Sequence, residues 1–280
     1  MEIVLKKYIF LVIGFSVIIS LNGCTTQVRV NDPSDAWAME TQEGIQAASQ
    51  RMLKEAENHS KEAVTASKQM KLTDPRRIQS LNNLAQLYIQ EKKMSEAGTV
   101  LAQATKVIEE NPGTNSDVAL TTFNNLGSFY YDQSEFSKAE VVFKKSLSIA
   151  RNTYGNQHPA TAQSLNNLGM LYSKQNKLSE AESYLKQSLA IREKTLQSND
   201  PLIPDTVKNI AMFYYEHQDY QKARPYFQRA IEADKKAYGQ ESPLLLSGLN
   251  KYAKVLRKSG QNKEALEVDA EIKSIKAKNP

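Results

Sequence analysis

From residue 81 onward, apolar side chains recur three and four positions apart. Leu81, Leu84 and Tyr88 make one such run, and Ala97, Leu101 and Ala104 make the next. That spacing puts each run on one face of a helix, so each predicts an amphipathic α-helix. The segments between runs, such as Lys174-Gln175-Asn176-Lys177, are polar and read as turns. Pro75, Pro159, Pro201 and Pro243 then mark helix starts, where a missing N–H costs nothing.

The runs themselves repeat. Leu81-Asn82-Asn83-Leu84-Ala85 returns as Phe123-Asn124-Asn125-Leu126-Gly127 and as Leu165-Asn166-Asn167-Leu168-Gly169, each 42 residues after the last. It continues, degraded, as Val207-Lys208-Asn209-Ile210-Ala211 and Leu249-Asn250-Lys251-Tyr252-Ala253. Tyr88, Tyr130, Tyr172 and Tyr214 share one slot, and Ala97, Ala139, Ala181, Ala223 and Ala265 another. Leu101, Phe143, Leu185 and Phe227 share a third. Small slots allow the two helices of a unit to approach, and large ones fill the remaining space, as close packing demands.

This alternation of small and large slots over residues 74–278 resembles the tetratricopeptide repeat. A period of 42 where about 34 is usual, with the Leu-Asn-Asn-Leu-Ala/Gly core and the linker Tyr154-Gly155-Asn156-Gln157-His158-Pro159, is similar to the kinesin-light-chain subtype. The resemblance implies an all-α fold, a right-handed superhelical solenoid of stacked antiparallel helix pairs, with five units over residues 73–280. Glu55-Ala56 and Ala63 resemble Glu96-Ala97 and Ala104, so residues 37–72 are expected to form a degenerate first helix pair. Asp269 stands where earlier copies carry Leu or Phe, as suits the polar outer face of a capping helix. Pro225 reads as a first-turn proline, a local perturbation at most.

The N-terminal segment follows a different pattern. Lys6 and Lys7 precede an apolar run from Tyr8 to Ile19, too short to span a bilayer, and Leu21-Asn22-Gly23-Cys24 follows. The last four residues resemble the bacterial lipobox, although Asn22 departs from its usual small or β-branched residue. That resemblance implies a lipoprotein signal peptide over 1–23, lipidation of Cys24, and a tether over 24–36. Stable attachment takes two or three acyl chains, palmitate among them. Thr25 stands where an inner-membrane retention signal would carry Asp. The implied location is the bacterial cell envelope, at the outer membrane facing the periplasm if the source is Gram-negative.

Charge and composition narrow the function. The 280 residues carry a net charge of +5, but the charges are interspersed and form no basic arm, so nucleic acid is not an expected partner. Cys24 is the only cysteine, so no internal disulfide can form. His59, His158 and His217 show no metal-like spacing, and no phosphate loop or nucleophile elbow is present. His158 reads as a solvated turn residue. No catalytic residue, metal, cofactor or small-molecule substrate is expected.

Protein binding is the expected role, and the first helices are its expected site. Asn83, Asn125, Asn167 and Asn209 recur in mid-helix, where Asn is a mediocre helix former. In the resembling family this slot faces a concave groove and contacts the backbone of bound peptides; the other readings are that these residues bond to the neighbouring unit or are a relic of recent duplication. Tyr131 and Tyr215 occupy one groove slot in alternate units, with Ile89 and Ser173 in the others, and can anchor apolar ligand side chains. Lys208, Lys251, Lys254, Arg257 and Lys258 gather positive charge near the C-terminus and can hold acidic groups. The expectation is a lipid-anchored adaptor binding a partner protein or extended peptide. The rival expectations are a pilotin-like assembly factor for an envelope complex and a substrate-delivery subunit of an envelope protease or cell-wall hydrolase.

Overall fold

The structure, a computed structural model, describes residues 32–111 and 113–279. Cys24 and the expected signal segment, 1–23, lie outside them. Among the described residues are twelve α-helices in six consecutive pairs: α1 (Pro33–Ser49) with α2 (Leu53–Lys68), α3 (Pro75–Gln90) with α4 (Met94–Glu110), and α5 (Ser116–Asp132) with α6 (Phe136–Tyr154). Then come α7 (Pro159–Lys174) with α8 (Leu178–Thr195), α9 (Leu202–Glu216) with α10 (Tyr220–Tyr238), and α11 (Leu246–Lys258) with α12 (Asn262–Lys278). One 3₁₀ turn, Pro243–Leu245, leads into α11. None of these helices is long and apolar enough to cross a membrane.

One boundary and the place of one proline differ from the sequence reading. α1 starts at Pro33, inside the stretch expected to be tether, because Asp32 accepts a hydrogen bond from the Ser34 N–H at 2.8 Å and Pro33 takes the first helical position. Pro225 lies six residues into α10 and not in its first turn; α10 continues through it.

The corners within pairs share one geometry. Arg51, Lys92, Ser134, Asn176, Gln218 and Gly260 all have φ between 60° and 83°. The following N–H reaches back to a carbonyl five residues earlier, as in Lys93 to Tyr88 and Lys177 to Tyr172, at 2.8 and 2.9 Å. This is the Schellman closure, which satisfies carbonyls that the helix end leaves open. Only two of the six left-handed positions carry Gly or Asn, the residues that tolerate this conformation best.

Packing follows the slots. Ala97, Ala139, Ala181 and Ala223 are fully buried, and Leu101, Phe143, Leu185 and Phe227 fill the space opposite. A Cβ added to Gly169 would stand 2.7 Å from Leu185 Cγ, and one on Gly127 would run into the Phe143 ring. Each second helix packs on its own first helix and on the next one, and successive first helices α3, α5, α7 and α9 also touch one another. The first helices therefore form the inner layer of the stack. Polar ties cross between units as well: Glu140 on α6 accepts from Tyr172, Gln175 and Lys177 of the next unit at 3.0–3.2 Å, and from Lys144 at 2.7 Å.

Candidate functional site

The 42-residue period sets equivalent positions of the first helices side by side. Along the inner layer the asparagine slot reads Asn83, Asn125, Asn167, Asn209. Asn83 is exposed and the other three are half-buried. Asn167 Nδ2 donates to Asn124 Oδ1 at 3.2 Å, and Asn209 Nδ2 donates to Asn166 Oδ1 at 3.0 Å. Asn125 Oδ1 accepts from Gln86 Nε2 at 3.2 Å. Three of the four thus each spend one amide group on the unit before. The acceptors Asn124 and Asn166 sit in the slot just ahead, which sequence reasoning passed over although the Asn-Asn doublet was its signal.

The ladder changes at each end. Asn82 Nδ2 donates to Thr122 Oγ1 at 2.9 Å, while its buried Oδ1 has no hydrogen-bond partner among the described residues. At the other end the doublet's first position is Lys208, whose Nζ turns to Asp234 on α10 at 2.7 Å and lies 3.9 Å from Asp205.

Between these ends the inner layer also carries large apolar side chains. Tyr131 and Tyr215 are half-buried, as are Met170 and Met212 in a neighbouring slot that sequence reasoning did not single out. The Tyr131 ring packs against Phe136 at 5.9 Å, and burial pushes its phenol above the usual range. Lys174 and Glu216, paired at 2.8 Å, both act on it. Tyr215 packs edge-on to Tyr220 and Phe227, with Lys254 Nζ 5.2 Å above its ring. Ser173, in the slot between the two tyrosines, is buried and bonds His217 Nε2 at 3.0 Å.

Several of the C-terminal cations have partners on the scaffold. Arg257 pairs with Asp269 on α12, Lys208 with Asp234, and Lys251 donates to Ser247 Oγ at 3.2 Å. Lys254 is the one brought against a predicted groove aromatic. His158, read as a solvated turn residue, caps α7 by accepting from the Ala160 N–H at 3.2 Å and stacks on Tyr154 at 4.5 Å.

Beneath the asparagines lies Arg192, 2% exposed. Its guanidinium donates to the Leu202 carbonyl at 3.0 Å, to Thr206 Oγ1, and to Gln163 Oε1 at 2.5 Å. Gln163 in turn donates to Asn167 Oδ1 at 2.9 Å. A polar chain therefore runs from Arg192 through Gln163 and Asn167 to Asn124. Burial lowers the Arg192 pKa to about 10, with Asp205 and Asp200 opposing the shift. A charged residue in a slot that holds Ile108 and Ala150 in earlier units was the signal for it.

The family model described as tetratricopeptide repeat matches residues 76–151, 118–194 and 204–275, more than half of the chain. The chain belongs to the tetratricopeptide-repeat family. Among solved structures, the TPR fold matches BtubC (BKLC) from P. vanneervenii at 18% identity, over 88% of this chain and 91% of that one, with a TM-score of 0.65. A putative kinesin light chain with nearly identical TPR-like repeats from Podosopora anserina matches at 25% identity over 73% and 97%, with a TM-score of 0.62. PilW, a type IV pilus biogenesis factor, matches at 20% over 85% and 92%, with a TM-score of 0.65. The likeness to BtubC and PilW is one of fold. No curated protein matches the chain.

Proposed function

We propose that this TPR protein is a lipid-anchored adaptor of the bacterial cell envelope that binds an extended segment of a partner protein along the inner layer of first helices. The supporting observation is the row Tyr131, Met170, Met212 and Tyr215, large apolar and aromatic side chains left half-buried on three consecutive first helices. Covering them gains about 25 cal/mol per Å² of apolar area, and methionine adapts to irregular apolar partners. In this reading Asn125 offers its Nδ2 and Asn209 its Oδ1 to the partner backbone, and Asn83 extends the row. Asn167, both of whose amide atoms already have partners, has only its second Nδ2 hydrogen and second Oδ1 lone pair to give. Lys254, beside Tyr215, meets an acidic group, and Lys251 adds to the local positive charge. Cys24 carries the lipid.

The test is photo-crosslinking in the native host from positions 131 and 215, with Val141, 68% exposed on α6, as the control position. The same partner captured from 131 and 215 but not from 141 supports the groove. Capture from 141 alone overturns it. A single oligomeric channel as the captured species favours the assembly-factor reading, and a single protease or cell-wall hydrolase the substrate-delivery reading. Metabolic labelling with an alkynyl fatty acid tests the anchor: label is expected in the wild type and lost in Cys24→Ser, and an unlabelled wild type rules out lipidation.

A further inference from the structure

The first helix pair carries a cluster that neither the repeat nor the groove accounts for. Glu40 and Glu43 lie one turn apart on α1, on the face turned toward α2. Gly44 sits beside them, and a Cβ there would already lie 3.4 Å from both His59 Cβ and Ser60 Oγ. The close crossing holds His59 of α2 against both carboxylates. Its Nδ1 is 2.7 Å from Glu40 Oε2 and 3.3 Å from Glu43 Oε2.

Two features set this group apart from an ordinary surface ion pair. One is geometry. The three donor atoms all lie within 4.8 Å of one another. Nitrogen and oxygen ligands held about 2.0–2.2 Å from a tetrahedral Zn²⁺ are themselves about 3.3 Å apart, so small side-chain rotations suffice to close the site. The other is charge. A third carboxylate, Glu55, lines the same cavity of about 230 Å³ with Glu43 and His59. One imidazole, even protonated, leaves three carboxylates with excess negative charge; a divalent cation offsets it more fully.

We propose that Glu40, Glu43 and His59 form a binding site for a first-row divalent transition cation, Zn²⁺ being the one to which this donor set is best suited, with the cavity side open to water or Glu55. One imidazole and two carboxylates suit Zn²⁺ better than Mg²⁺, which prefers oxygen ligands in a strict octahedron. The ion ties α1 to α2 and so stiffens the first pair of the stack. Because the ligands converge only in the folded chain, binding stabilises that fold.

The experiment uses the whole chain without a histidine tag, stripped by chelator, and titrated with ZnCl₂ by calorimetry and by thermal melting, with MgCl₂ as the comparison. The expected result is one Zn²⁺ per chain at micromolar or tighter affinity, a melting temperature that rises with Zn²⁺, and no response to Mg²⁺. His59→Ala and Glu40→Gln are each expected to weaken Zn²⁺ at least tenfold. Glu43→Gln alters a half-exposed side chain, so it should keep the metal-free melting temperature while losing affinity; this variant separates ligand loss from misfolding. Co²⁺ in place of Zn²⁺ should show the visible bands of a four-coordinate N/O site. The proposal fails if the wild type binds no Zn²⁺, or if all three variants bind it as well as the wild type does.

Discussion

Asn209 on α9 donates its Nδ2 hydrogen to Asn166 Oδ1 on α7, 3.0 Å away in the preceding unit. The same relation joins Asn167 to Asn124. A recurring asparagine in mid-helix is thereby explained in part by stacking: it is a hydrogen bond between neighbours, one period plus one residue apart.

That bond should be measurable by a double-mutant cycle. Asn209→Ala leaves the buried Asn166 carbonyl without its donor and should lower stability by about 1–2 kcal/mol. Asn166→Ala should cost a similar amount, and the double variant less than the two costs added. Urea unfolding of the four proteins reads the coupling; strict additivity would mean that the pair does not interact. If partner affinity also falls in Asn209→Ala, the residue serves both purposes.

Arg192 offers a second test. Its guanidinium satisfies three acceptors but meets no carboxylate at ion-pair distance among the described residues. Replacing a buried charge by an apolar chain of similar length costs much less than truncating it. Arg192→Ala should therefore destabilise by about 2–4 kcal/mol and Arg192→Met by less than half of that. Equal losses in chemical denaturation would show that the hydrogen bonds, and not the filled space, set the cost.

The left-handed corners make a stabilising prediction. Lys92 is exposed with φ of 61°, a conformation that costs a non-glycine residue about 1 kcal/mol. Lys92→Gly removes that strain and loses some of the gain to the greater freedom of the unfolded chain. A net stabilisation of about 0.5 kcal/mol is expected, visible as a small rise in the denaturation midpoint. A drop would mean that the Lys92 side chain contributes more than its backbone costs.

Glu140 sets a pH dependence. Lys144 chiefly, then Gln175 and Lys177, hold its carboxyl at about 2, against burial, which pushes it up. A depressed folded-state pKa means stability that is present above the ordinary carboxylate range and lost as pH falls from about 4.5 toward about 2. Allowing for solvent screening, about 1 kcal/mol rides on this group. In Glu140→Gln the stability difference from wild type should shrink as pH drops through that window, as followed by melting from pH 7 to pH 3. A difference that holds constant with pH would assign the loss to packing.

The helices were legible because their signals are local. Spacings of three and four residues, the Tyr and Ala slots and a period of 42 are properties of neighbouring positions, and helix formation depends on such neighbours. The N-terminal boundary was harder, since Asp32 and Pro33 start α1 with a cap rather than an apolar run. Pro225 misled for a related reason: sequence alone did not show where α10 began, so the proline's distance from that start was unknown.

The partners of polar groups were not legible. Sequence spacing cannot say whether Lys208 faces the groove or Asp234, whether Asn167 faces a ligand or Asn124, or that His59 stands beside Glu40 and Glu43. These choices depend on how closely two helices approach, which is set by Gly44 at one crossing and by Gly169 against Leu185 at another. The sequence by itself determined the repeat, the helix pairs and their small and large slots, because apolar periodicity is written along one helix at a time. Only the tertiary structure decided which charges are spent on the scaffold and which aromatic and thioether side chains are left on its inner face. Hydrogen bonds and ion pairs act over about 3 Å, and which groups come that close is settled only when the units stack.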